Sequence, residues 1–207
     1  MPWILYSLFG QDAFDISGRW HPKHDLTKAN ITTWKAPDES QLPVQIKLDR
    51  APKSLPGLTS LAWNLIYVNS QARAILERFE PDNLRFSPVI VHMPDGRRYG
   101  SEINLLTLLP SCRVPGGIVI EKSDVRLIEN FKIPAGGGNF IDGKPYLRLK
   151  HDPPRLTWNR AAVGNRHIWA DDMLPSRILV SDTLYSALKE AGVTGFQAQE
   201  SRFETEQ

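Results

Sequence analysis

The sequence lacks three features that would assign a protein to a special class. Cys112 is its only cysteine, so no disulfide can form within the chain and a reducing compartment is expected. No stretch of about 18 residues is apolar and free of charge, which excludes a membrane-spanning helix. Long runs of like charge are missing and the net charge is only +2, so charge alone indicates no nucleic-acid partner.

The first residues of the sequence do not have the pattern expected of a signal peptide. Residues 1–9 include an apolar stretch, but no basic segment precedes it and no small-residue cleavage site follows it. Gln11 and Asp12 soon end the stretch. We expect a first strand here rather than a signal peptide, and a cytoplasmic protein.

Motifs for catalysis and cofactor binding are also missing. The chain has no Gly-x-Ser-x-Gly elbow, and Cys112, in Pro-Ser-Cys-Arg-Val-Pro, has no catalytic base beside it in sequence. Gly136–Gly138 are not followed by the helix and Lys-Ser/Thr pair of a phosphate-binding loop, which favours a flexible surface loop. Asp171 and Asp172 precede Pro175 in a predicted turn, where carboxylates are usually solvated. We therefore expect no catalytic residue, no metal site and no cofactor.

His21, His24 and Asp25 form the one local cluster of potential metal ligands. Their spacing would allow two imidazoles to bind one ion, but zinc and iron need three or four ligands, and no other cluster supplies the rest. Solvated loop histidines are the default interpretation. A small metal-dependent hydrolase or nuclease using these residues remains one alternative function, and a nucleic-acid-binding module using scattered arginines is another.

The composition is that of a folded globular protein. Apolar residues make up 41% and charged residues 23% of 207 positions, far from the low-hydrophobicity, high-charge range of disordered chains. That length fits one large domain or two closely packed halves. We predict a single α+β domain over residues 1–207.

The clearest local pattern is a strand-helix-strand unit at residues 65–91, the first unit. A short apolar strand leads to Asn69-Ser70, whose side-chain oxygens can cap a helix. An apolar stripe at helical spacing follows, and Pro81 ends the helix. After the second strand, Asp95-Gly96 suits a hairpin turn, with a return strand from Arg97 toward Thr107. The stripe consists of Ala72, Ile75, Leu76 and Phe79.

The same pattern recurs at residues 177–199, the second unit. Ser181-Asp182 is the cap, Gly192 lies where a helix C-cap glycine belongs, and Phe196 begins the closing strand. The two units align without a gap at a constant offset of 112 residues, as from Val68 to Val180. We therefore predict a mixed or antiparallel sheet with two such units and a possible internal pseudo-repeat. The second stripe consists of Leu184, Ala187, Leu188 and Ala191.

Outside the two units the sequence is less regular. Residues 3–9 predict a buried strand, and residues 10–43 predict long N-terminal loops because Gly, Pro and Asn interrupt them. Residues 44–49 alternate apolar and polar, as a half-exposed strand does. Four tryptophans lie in loop-like stretches, where they can hold a loop to the core or contact a partner. They are Trp20, Trp34, Trp158 and Trp169, and Trp169 near Asp171 and Asp172 is the best candidate for a partner contact.

Residues 44–199 resemble immunity protein family 11. The likeness is carried by the strand ending in Val180-Ser181-Asp182, the amphipathic helix after it, and the Gly-Val-Thr-Gly-Phe turn that ends at Phe196. The first unit and the segment Ile103-Asn-Leu105 after the hairpin also look like the middle of that family. Residues 142–164 and the N-terminal loops are longer than the family's usual pattern.

The resemblance implies an α+β protein that binds and neutralises a cognate bacterial toxin in the cytoplasm of the cell that makes both. It implies a non-enzymatic role and a tight protein partner, the toxin domain of a polymorphic or contact-dependent system. A nuclease domain is one candidate for that partner. Trp169 and Asp182 correspond to recurring residues of the family. With Asp171 and Asp172 they form the expected toxin-binding set.

Overall fold

The computed structural model describes residues 1–7, 18–20, 42, 45–52, 54–62, 65–129, 132–136, 139–142, 145–151 and 154–204. His21, His24, Asp25, Trp34 and most of the predicted N-terminal loops lie outside these ranges. The strands are β1 (Pro2–Ser7), β2 (Gly18–Trp20), β3 (Gln45–Leu48), β4 (Leu58–Ala62), β5 (Leu65–Asn69), β6 (Leu84–His92), β7 (Ile103–Leu108), β8 (Arg113–Val114), β9 (Val125–Ile128), β10 (Lys132–Gly136), β11 (Asn139–Asp142), β12 (Tyr146–Leu149), β13 (Thr157–Trp158), β14 (Ile168–Asp171), β15 (Leu174–Ser181), β16 (Phe196–Glu200) and β17 (Arg202–Phe203). The α-helices are α1 (Ser70–Phe79), α2 (Arg160–Val163) and α3 (Asp182–Glu190), and short 3-10 turns lie at Pro110–Cys112 and Ile120–Lys122.

Two sheets organise the described part of the fold. One has six strands in the order β2-β3-β6-β7-β5-β4, and the other has five in the order β16-β1-β15-β14-β8. Most neighbours run antiparallel, while β3 with β6 and β8 with β14 run parallel. The predicted α+β class with mixed sheets is confirmed.

A central core joins both sheets to both long helices. It contains Ala72 and Leu76 of α1 together with Leu184 and Leu188 of α3, all 0% exposed. Neighbouring residues of a strand point to opposite faces, so each sheet also buries an outer face. Tyr67 and Leu105 contribute to a second cluster outside the six-stranded sheet. A third cluster, outside the five-stranded sheet, contains Ile4, Leu179, Trp158 and Trp169.

The two predicted helices and their caps are confirmed. The Asn69 side chain accepts a hydrogen bond from the amide of Ala72 at 2.9 Å, and the Ser181 hydroxyl oxygen accepts one from Leu184 at 3.2 Å. Each bond pairs an amide of the first turn that has no partner inside the helix. Gly192 follows α3 at φ +69°, in the left-handed region that glycine occupies without strain.

The two units have the same topology. In the first, β5 and β6 both pair antiparallel with β7, which lies between them. In the second, β15 and β16 both pair antiparallel with β1. Even the register agrees, since Tyr67 is opposite Leu105 and Leu179 is opposite Ile4. The strand β7 follows the first unit in sequence, whereas β1 precedes the second unit by most of the chain. The correspondence between β7 and β1 is therefore visible only in three dimensions.

The likeness extends beyond the predicted units. The strand β3 pairs parallel with β6, where Gln45 is opposite Ile90. The strand β13 pairs parallel with β17, where Thr157 is opposite Arg202. Thr157 follows Gln45 by 112 residues, and Arg202 follows Ile90 by the same offset. The strands β16 and β17 therefore correspond to the beginning and the end of β6. The bridge from Ile118 to Trp158 repeats the pairing of Trp20 with Ile46.

Three sequence expectations need correction. The return strand after the Asp95-Gly96 turn begins at Ile103 rather than Arg97, and only a single bridge joins His92 to Arg98. Gly136, expected in a loop, ends β10, which pairs with β11. Gly18–Trp20, within the stretch expected to be irregular, forms β2.

The two units, together with the segments beside them, are joined by backbone and side-chain hydrogen bonds. The Leu58 amide donates to the carbonyl of Thr194 at 2.9 Å, and the Gln71 side chain donates to the carbonyl of Ala191 at 2.7 Å. The buried carboxylate of Glu80 accepts from the backbone amides of His167 and Ile168. The units are therefore held together by directional bonds as well as by the shared core.

Candidate protein-binding site

Two of the four predicted site residues, Trp169 and Asp171, lie in the interior. Trp169 is 1% exposed and contacts Trp158 edge-on, with ring centroids 5.9 Å apart. Asp171, at the end of the same strand, is fully buried. A direct contact from either side chain to a partner would require this part of the core to open. Their role in toxin binding stays a prediction.

The burial of Asp171 corrects the expectation of a solvated turn carboxylate. Its Oδ1 accepts from the amide of Met173 at 2.7 Å and its Oδ2 from the amide of Ile118 at 3.0 Å. Burial raises the pKa of Asp171, and the hydrogen bonds from Met173 and Ile118 oppose the shift. The carboxylate thus joins the β14–β15 turn to residue 118, a structural task that accounts for its position.

Asp172, the next residue, is partly exposed. Burial lowers the pKa of the neighbouring Arg113 guanidinium, and the negative charge of Asp172 acts against that shift. The adjacent carboxylates therefore have different surroundings, because Asp171 ends β14 in the interior while Asp172 lies in the turn that follows.

Asp182 is exposed at the first position of α3, where the helix dipole favours a carboxylate. Its Oδ1 accepts a hydrogen bond from the indole nitrogen of Trp3 at 2.8 Å. Trp3 in turn stacks on Tyr185, with ring centroids 4.2 Å apart and planes inclined by 20°. Asp182 is thus the predicted site residue that the fold places in an aromatic surface.

The aromatic surface continues along the outer side of α3. Phe196 meets the ring of Tyr185 edge-on at 6.4 Å, and Glu200 lies opposite Trp3 in the β1–β16 pair. Residues opposite one another in an antiparallel pair share a face of the sheet. We call Trp3, Asp182, Tyr185, Phe196 and Glu200 the Trp3 surface. Its three aromatic side chains are partly exposed, and both its carboxylate residues are exposed.

The first unit has a polar network at the corresponding place. Asn104 is opposite Val68 as Trp3 is opposite Val180, and Arg73 precedes Tyr185 by the same offset of 112. Arg73 donates to Glu77 at 2.8 Å, to Glu102 at 3.2 Å and to Asn104 at 3.3 Å. Its guanidinium lies 5.4 Å from the ring centre of Phe86. This side of the molecule therefore satisfies its own charges.

The sequence matches a known protein family. The sequence model of the immunity protein family Imm11 matches residues 10–201, nearly the whole chain. The chain belongs to the Imm11 family. The resemblance noted for residues 44–199 is confirmed and extends further toward the N-terminus. No curated protein is detectably similar to this chain.

Family membership supports a non-enzymatic role. One polar cluster of this Imm11 chain, formed by His167, Ser181 and Thr183, nevertheless resembles part of a catalytic triad. The His167 Nδ1 lies 2.8 Å from the Ser181 hydroxyl and 3.3 Å from that of Thr183. A serine nucleophile needs a base that is itself oriented by a third group. Here Ser181 caps α3, and the carboxylate of Glu80 contacts the backbone amide of His167 rather than its ring. The cluster fits the start of a helix better than a catalytic triad.

Other groups with potential chemistry are protected or dispersed. Cys112 is buried in the central core and donates to the carbonyl of Asn83, and burial raises its pKa to about 12. The Cys112 thiol is therefore expected to be unreactive. Over the ranges that the structure describes, no three or more His, Cys, Asp or Glu residues gather as metal ligands. No described helix is both long and apolar enough to cross a membrane.

Sequence reasoning missed most of the Trp3 surface. Trp3 was assigned to a buried strand, and Tyr185 lies outside the apolar stripe of α3. The sequence gives no signal for it, because residues 3–6 are all apolar or aromatic, and the difference between buried Ile4 and partly exposed Trp3 is visible only in the structure. Nothing in the sequence places Trp3 next to Asp182, because 179 residues separate them.

Proposed function

We propose that this Imm11 protein binds and neutralises a cognate bacterial toxin domain in the cytoplasm of the cell that produces both. The observation that carries the proposal is the family match over residues 10–201. An immunity protein acts by occupying or distorting its toxin, which requires a preorganised surface and no reaction of its own.

We further propose that the toxin contacts the Trp3 surface, with Asp182 as its acidic residue. Stacked aromatic rings supply a large, rigid contact area and are typical of the energetic centre of protein interfaces. The hydrogen bond from Trp3 to Asp182 fixes the indole before binding, which reduces the entropy lost on association. Trp169 and Asp171 then support the surface from within the same sheet, while Asp172 is partly exposed in the turn at the other end of β15.

Co-expression tests this function directly. The toxin domain encoded beside this gene is expressed in a susceptible bacterium, with and without the Imm11 protein. We expect growth to be restored and the two proteins to purify as a complex, with no change in either polypeptide. An absence of both rescue and complex would reject the proposal.

A further inference from the structure

The Trp3 surface has a charge pattern that indicates what it binds. Asp182 and Glu200 are exposed acids on either side of Trp3, and among the described residues neither forms an ion pair. The indole occupies only Oδ1 of Asp182. A partner group that brings positive charge to this surface would therefore be complementary to it.

The first unit shows how the fold accommodates such a group. At the corresponding place Arg73 lies over the ring of Phe86 and bonds to the carboxylates of Glu77 and Glu102. The second unit has aromatic rings and two carboxylates but a tyrosine, Tyr185, at the matching helix position. Aromatic rings and carboxylates lie near this place in both units, but the helix position of Arg73 carries a cation only in the first. In the second unit Lys189 lies where Glu77 lies in the first, one helical turn beyond Tyr185.

We propose that an arginine side chain of the bound toxin lies on the Trp3–Tyr185 stack and pairs with Asp182. This inference rests on the proposed function and specifies the partner's chemistry. A guanidinium is planar, so it can stack on an aromatic face while its N–H groups donate to a carboxylate. An ammonium group is strongly hydrated and lacks that shape, and an apolar side chain would leave both acids without a partner.

The first test uses Asp182→Asn, which removes the charge but keeps an oxygen that can accept the indole hydrogen bond. Binding to the toxin domain encoded beside this gene is measured by calorimetry at low and moderate salt. We expect Asp182→Asn to weaken binding about tenfold or more and to reduce the dependence of affinity on salt. Glu102→Gln is the matched control in the first unit and should change affinity less than about twofold.

The second test needs no toxin. The indole N–H resonance of Trp3, assigned by its absence in Trp3→Phe, is followed by NMR during titration with Nα-acetyl-arginine amide. The uncharged citrulline compound of the same shape is the control. We expect a saturable shift with the arginine compound alone, and its loss in Asp182→Asn.

The results separate this inference from the proposed function. If the wild-type protein binds the toxin domain and Asp182→Asn binds it equally well, the arginine site is wrong while the immunity function stands. If the wild-type protein binds no toxin domain, the immunity function and the toxin arginine both fail, and the titration then shows only whether the surface binds a guanidinium. Equal shifts with both compounds, or no shift with either, would overturn it.

Discussion

The two strand-helix-strand units are one scaffold with two different surfaces. Their strands, caps and registers correspond at an offset of 112, and α1 and α3 share one core. Outside α1 a guanidinium is neutralised by its own neighbours, while outside α3 aromatic rings and acids meet solvent. The shared parts stabilise the protein, so the difference between the units is where we look for function.

The largest expected effect concerns the junction of the two units. Gly195 has φ +94°, and a Cβ there would lie 2.0 Å from the carbonyl oxygen of Leu58. Gly195→Ala combines a left-handed backbone with a steric overlap, and should lower the free energy of unfolding by about 4 kcal/mol. Gly192→Ala, at φ +69° with open space around it, should cost only about 1 kcal/mol.

Urea denaturation of the two glycine variants, followed by circular dichroism, measures the difference. Similar losses of stability in both variants would show that a Cβ at residue 195 fits beside the carbonyl oxygen of Leu58, against the close approach seen here. A variant too unstable to purify is compared by its soluble yield, which should be lower for Gly195→Ala alone.

A slightly smaller effect tests whether the two helices are equivalent. Leu76 and Leu188 are matching residues, both 0% exposed in the central core. Leu76→Ala and Leu188→Ala should each lower the free energy of unfolding by about 3 kcal/mol, through lost burial and the cavity left behind. Because the core is shared, each variant should unfold in one transition. Two separate transitions in thermal unfolding would show that the units are independent.

The helix caps should give effects of about 1 kcal/mol. Asn69→Ala removes the acceptor for the amide of Ala72, and Ser181→Ala removes the acceptor for Leu184. Ser181 also contacts His167, so its replacement should cost more than that of Asn69. Chemical denaturation of both variants is the measurement. A larger loss in Asn69→Ala would mean that the His167 contact adds nothing.

The smallest effect is expected from the polar network of the first unit. Arg73→Gln breaks two partly exposed ion pairs, and such pairs contribute little in water. We expect the melting temperature to fall by no more than about 3 °C and the fall to shrink in high salt. Toxin binding should be unchanged. Weaker toxin binding in this variant would place part of the interface on the first unit.

Local sequence patterns predicted a good part of the fold. Asn69 and Ser181 were identified as caps because short polar side chains before an apolar stripe are typical of helix starts. The hairpin at Asp95-Gly96 was found from its turn residues, but its return strand was placed too early. Strand length there depends on pairing with β5 and β6, which turn residues do not encode.

The candidate site was less predictable. Trp169 and Asp182 were both selected from the sequence, but Trp169 is buried in the third cluster and Asp182 is exposed. An aromatic residue next to acids looks the same in sequence whether its strand faces a core or solvent. Burial depends on what covers each face of a sheet, and here residues from β9, β12 and β13 cover the face that bears Trp169.

The sequence by itself determined the two long helices, their ends, the two units and the family, because these depend on periodicity, capping and the order of motifs along the chain. Only the tertiary structure decided that β1 completes the second unit and that Trp3 reaches Asp182. Pairing between distant strands is selected by the packing of whole faces. The surface that distinguishes the two units therefore exists only after the first strand has entered the sheet built by the last part of the chain.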